Sequence, residues 1–123
     1  MRHEVTAADT AEALGSGDVP VLGTPRMIAW MEAATVRSAK TFLAEGQTTV
    51  GTAIRIQHSR ATPVGGTLEI TASAPDDAAG GVLTFLVQAL DESGRLVGAG
   101  EIDRAIVDRQ RFLAAASHAD PGR

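Results

Sequence analysis

Glu32 is the only charge between Met27 and Val36, and it stands among Ile28, Ala29, Trp30, Met31, Ala33 and Ala34. A carboxylate in such a run must reach water at a cleft, pair with a cation or be neutralised, because burying it bare is very costly. That makes Glu32 the first candidate for chemistry, as a general base acting on water or as a nucleophile. The alternative is a helix glutamate that merely reaches solvent. His58 closes an alternating run whose one face carries Val50, Thr52, Ile54 and Ile56. An imidazole there can orient a nucleophile or base and protonate a leaving group, and a packed core histidine is the alternative. Thr24 precedes Pro25 and reads as a helix N-cap. Its hydroxyl is also a candidate nucleophile or positioning group, and both roles stay open.

Three further positions could complete such a site. The helix start at Gly23 and Thr24 offers free amides to developing negative charge. Gly51, inside the strand pattern GTAIRIQH, marks a bulge or a close approach of the backbone to a ligand. Arg104, among apolar neighbours in EIDRAIV, either pairs with a carboxylate or contacts an anionic substrate group. Gly98 and Gly100 make no dinucleotide fingerprint, since no helix follows them. His3, His118, Asp76-Asp77 and Asp91-Glu92 read as solvated or turn residues.

Composition excludes several other chemistries. The 123 residues suit one domain with a single core, and 44% hydrophobic with 21% charged residues is ordinary for a globular protein. There is no cysteine, which removes disulfides, thiolate metal sites and cysteine nucleophiles. Three scattered histidines and no His-x-x-x-His pair predict no metal site. A net charge of −4 and 3% aromatic residues argue against nucleic acid as a partner. No apolar run approaches the roughly 18 residues of a membrane span and no signal core opens the chain, so the expected compartment is the cytoplasm.

The elements that must position these residues follow in order. RHEVTA is a short edge strand, and Ala7–Leu14 one helical turn ended by glycines. The segment from there to Gly23 is expected to be a mobile flap. Residues 23–43 form the one long helix, with apolar or small residues at Met27, Ile28, Met31, Ala34, Thr35, Ala39, Phe42 and Leu43, and Gly46 as its stop. Four strands follow, over TTVGTAIRIQHSRA, TLEITASAP, VLTFLVQAL and RLVGAGEIDRAIVD. The face carrying Val50, Thr52, Ile54, Ile56 and His58 is expected to pack on the helix. VLTFLVQAL is apolar enough to predict cover on both faces. Gln110–His118 could turn once more as helix, and 118–123 should fray. Short connections force antiparallel pairing, so the expected architecture is α+β, one helix on a curved antiparallel sheet of about five strands. The uncovered sheet surface and edge predict a homodimer.

One helix wrapped by a long antiparallel sheet is similar to the hotdog fold. GTPRMIAWMEAATVR, GTAIRIQHSRATPVGGTLEITA and GAGEIDRAIVD resemble the fluoroacetyl-CoA thioesterase branch of that fold across about residues 20–113. That branch has a threonine at the helix start, a glutamate two turns on and a histidine ending a GTAxxxxH strand; Thr24, Glu32 and His58 stand in those places with unbroken spacing. The resemblance implies an acyl-CoA thioesterase that releases a carboxylate and free CoA. Thr24, Glu32 and His58 would be catalytic, and Gly23, Gly51 and Arg104 would contact substrate. It implies no metal and no cofactor beyond the CoA carried by the substrate. It also places the site at a dimer interface, with a dimer of dimers as a further arrangement. The family's phenylalanine lid has no counterpart in ALGSGDVPVLG, so the resemblance extends to hydrolysis and not to fluoroacetyl selectivity. Two other readings remain open here: a hotdog acyl-CoA hydratase or dehydratase, whose Asp/His motif is not found, and a non-catalytic acyl-CoA or small-ligand binding protein.

Overall fold

The computed structural model describes residues 1–117, so His118 and the tail expected to fray lie outside the described residues. The long helix, α2 (Thr24–Ala39), continues as a 3-10 turn over Lys40–Phe42. Its buried positions Met27, Met31, Ala34, Thr35 and Ala39 recur at helical spacing and make one stripe. That stripe lies mainly over β3 (Thr67–Ser73) and β4 (Val82–Asp91). Their alternate residues Leu68, Ile70, Leu83, Phe85, Val87 and Ala89 are buried against it, joined by Val97 and Ile102 from β5 (Leu96–Asp108). Each large side chain so buried contributes about 1.5–3 kcal/mol.

The sheet runs β1-β3-β4-β5-β2, antiparallel at every pairing, with β1 (Arg2–Glu4) at one edge and β2 (Gln47–His58) at the other. The α+β expectation of one helix on a five-stranded antiparallel sheet holds. A terminal helix, α3 (Arg109–Ser117), extends from β5 with no buried residue.

Five details differ from the sequence reading. β2 pairs with β5 and not with β3, so the link between β2 and β3 crosses the sheet instead of making a hairpin. The bulge that Gly51 marks interrupts β2 between Gly51 and Ala53 and changes the assignment of faces. An extra residue in a two-residue period exchanges the faces. Thr49 and Gly51 therefore share the helix-facing side with Ile54, Ile56 and His58, while Val50 falls on the other. Residues 10–22 are pinned rather than loose: α1 (Ala11–Leu14) is capped by Thr10, Thr10 bridges to Leu22, and Val21 bridges to Pro63. β4 is covered on one face only, since Leu86 is 59% exposed on the other. His3 is not simply solvated; its ring stacks on Trp30 at 4.4 Å and 6°. Burial lowers its pKa first, helped by the nearby N-terminus and Arg37.

Candidate active site

Two clusters hold the predicted residues. The first sits at the start of α2. Gly23, not Thr24, is the N-cap; its backbone is extended, and its N–H donates to the Asp9 carbonyl at 2.9 Å. Asp9 also pairs with Arg26 at 2.9 Å, and its Oδ2 accepts from the Thr6 amide and hydroxyl. The chain before the helix is thus clamped to the first turn. Released from capping, the Thr24 hydroxyl lies 2.7 Å from His58 Nδ1.

A glycine makes this approach possible. His58 pairs in register with Gly98, where a Cβ would lie 2.7 Å from the Met27 sulfur. With no side chain there, the Met27 thioether packs directly on β5, and the first residue of α2 meets the end of β2. Burial pushes the His58 pKa below the ordinary imidazole range, so the ring is neutral at neutral pH. Among the described residues its Nε2 is buried without a hydrogen-bond partner. If Thr24 donates to Nδ1, the proton sits on Nε2; the opposite tautomer leaves Nε2 as an acceptor.

Glu32 organises the second cluster, in the middle of α2. Its Oε2 is 3.4 Å from Arg104 Nη1, and its side chain keeps 37% exposure while that of Arg104 keeps 8%. The carboxylate is both paired and open to water. Arg104 is held further by donating from Nε to Thr49 Oγ1 at 2.9 Å and from Nη2 to the Thr49 carbonyl at 3.2 Å. Gly51 opposes Arg104 in the ladder, beside the bulge. A Cβ on it would stand 2.8 Å from Glu32 Oε2 and 3.4 Å from Arg104 Nη1. Gly51 is therefore the space that the carboxylate occupies.

Within one chain the two clusters do not touch. Eight residues of α2 separate Thr24 from Glu32, about 12 Å along the axis and about 80° around it. His58 bonds Thr24 and not Glu32. A cavity of about 330 Å³ opens over the first cluster, between residues 16–22 and 58–61, with Val19, Val21, Leu22, Thr24, His58 and Arg60 in its lining. A larger one, about 520 Å³, lies between residues 61–67 and the turn Asp91–Arg95, but it contains none of the predicted residues. Asp9, Arg26, Thr49 and Arg60 escaped the sequence reading. Their roles rest on contacts between distant segments, and only Thr49, by its place in the strand opposite EIDRAIV, carried any signal. Among the described residues no cluster of three or more His, Asp or Glu could hold a metal ion, and no helix is long and apolar enough to cross a membrane.

Known proteins with this architecture agree with one another. The profile of the family described as "Fluoroacetyl-CoA-specific thioesterase" matches residues 5–110. The fluoroacetyl-CoA thioesterase of Streptantibioticus cattleyicolor is 34% identical over 101 residues, covering 82% of this chain and 71% of that protein. The solved structure of the fluoroacetyl-CoA thioesterase FlK superposes with a TM-score of 0.87 at 29% identity, over 98% of this chain and 93% of the other. A hot-dog-like protein from Thermanaerovibrio acidaminovorans, 20% identical with a TM-score of 0.87 over 100% of this chain and 90% of its own, shares the fold. The chain belongs to the fluoroacetyl-CoA-specific thioesterase family: it is a thioester hydrolase built on the hotdog fold.

Proposed function

We propose that this chain hydrolyses an acyl-CoA to a carboxylate and free CoA at a site shared by two copies, with Thr24 and His58 from one and Glu32 from the other. One observation carries the reading: a single chain presents two half-sites, each open to solvent, separated by about two turns of α2. The free edge of β2 and the 42% exposure of Ile54, on the helix-facing side, support a second copy beside that strand. The exposed Leu86 on the outer face supports a further pairing into a dimer of dimers.

In this site the thioester carbonyl lies at the start of α2. The Thr24 amide and hydroxyl meet the developing oxyanion, with Gly23 setting the helix entry. Glu32 removes a proton from water as the oxygen attacks the acyl carbon, or itself attacks to give an anhydride that water then opens. In either route the C–S bond breaks beside the His58 ring, and the CoA thiolate takes the proton released from water, through Glu32 in the general-base route and when water opens the anhydride in the other. Arg104 holds the Glu32 carboxylate, and Gly51 leaves room for it. The chemistry asks for no cofactor, since CoA arrives with the substrate, and the setting is the cytoplasm. The aliphatic, non-aromatic flap wall of Val19, Val21 and Leu22 suits acyl groups other than fluoroacetyl. Free-thiol release from a panel of short, branched and aryl acyl-CoAs, fluoroacetyl-CoA included, tests the reading. Release from one class, abolished by His58→Ala, is expected. Binding of acyl-CoA without release by the wild type would make the protein a binder instead.

A further inference from the structure

Arg60 lines the cavity above Thr24 and His58, two residues beyond the imidazole. Among the described residues it is the only arginine or lysine in that lining, where His58 is neutral. Its backbone is fixed: the amides of Ser59 and Arg60 both donate to the Val97 carbonyl, at 2.8 and 3.3 Å. The root of the side chain is therefore as well placed as His58 itself. Arg26, Arg55, Arg95 and Arg104 are ion-paired to carboxylates, whereas Arg60 has no such partner among the described residues. Asp18 lines the same cavity from the flap wall, so an entering anion is repelled there and drawn towards Arg60.

We infer that Arg60 is a specificity-determining residue that binds an anionic group of the substrate beside the Thr24–His58 pair. The net charge of −4 gives the chain no general attraction for an anion, which makes a local cation decisive. A planar guanidinium suits either of two sources, the phosphates of CoA or a carboxylate on the acyl chain. The inference rests on the thioesterase reading for its substrate but not for its test.

The experiment compares wild type, Arg60→Gln and Arg60→Lys on acetyl-CoA, on acetyl-N-acetylcysteamine, which has no phosphate, and on succinyl-N-acetylcysteamine, which has only an acyl carboxylate. Arg60→Gln should raise KM about five- to tenfold with kcat kept, and should flatten the rise of KM with salt; Arg60→Lys should recover part of the loss. A rise confined to acetyl-CoA assigns the phosphate, and one confined to the succinyl thioester assigns the acyl carboxylate. An unchanged KM on all three, or an equal rise on all three, overturns the inference. Calorimetric binding of free CoA to wild type and Arg60→Gln is run alongside. If the wild type releases no thiol, hydrolysis fails as a reading, while weaker CoA binding by Arg60→Gln still supports Arg60. In that case, equal CoA binding by the two proteins, or none to either, overturns it.

Discussion

At the scale of residues, the site is decided by where two polar side chains may stop being solvated. Glu32 keeps water and gains Arg104; His58 loses water and gains Thr24. Removing the carboxylate by Glu32→Ala should lower kcat by about 10²–10⁴, the usual worth of a positioned base, and should also lower the melting temperature, because the buried Arg104 loses its carboxylate partner. Turnover within a factor of two of wild type would remove Glu32 from the mechanism. The histidines also set a pH dependence. His58 and His3 both have folded pKa values lowered by burial, so the unfolded chain binds protons more readily. Above the unfolded value of about 6.5 both states are neutral and the groups cost nothing; as pH falls below it, stability is progressively lost. Melting temperature should therefore decline below about pH 6.5. His3→Gln with His58→Gln should flatten that decline, and an unaltered slope would assign it to other groups.

At the scale of elements, close approaches allowed by glycine set the geometry. Gly98→Ala would place a Cβ against Met27 and within 3.0 Å of the Gln57 carbonyl. The buried Met27 thioether must then repack, at a cost of about 1–3 kcal/mol, and the first turn of α2 that carries it shifts Thr24 relative to His58. The expected result is a lower melting temperature together with a lower kcat/KM. Gly51→Ala separates the two effects. Its Cβ meets the movable end of Glu32, so stability should change little while kcat falls at least about tenfold, a loss that 1.4 kcal/mol of displaced carboxylate produces. Wild-type kcat in Gly51→Ala would show that Glu32 need not sit where the bulge lets it. The clamp of Asp9 on Gly23 and Arg26 belongs to the same scale, because it fixes the helix entry from which Thr24 projects.

At the scale of the molecule, the two half-sites ask for a second chain, and mixing inactive variants tests this directly. Homodimers of Glu32→Ala and of His58→Ala should each be inactive. In a mixed dimer one shared site carries both substitutions and the other carries neither. Random reassortment makes about half the dimers mixed, each with one intact site, so about a quarter of wild-type activity should return. No recovery after verified subunit exchange would place the whole site in one chain and refute the shared arrangement.

The sequence by itself determined the helix, the strands and their antiparallel sense, which follow from periodicities of 3.6 and 2 and from short connections, all local in the chain. It also marked Glu32, as a lone charge in an apolar run, and Gly51, as a glycine within a strand. It did not determine the strand order, since β2 pairs with β5 and not with β3. The tertiary structure alone decided which candidates meet. Thr24 read as an N-cap, yet Gly23 caps the helix once Asp9, 14 residues earlier, holds its amide. The strand face of His58 was read correctly, but Val50 was not, because the bulge that Gly51 marks adds one residue and exchanges the faces before it. Arg104 found both Glu32 and Thr49 only through the register of β2 on β5. Local patterns record which way a residue points. What it points at depends on segments brought together by a core that forms from the whole chain.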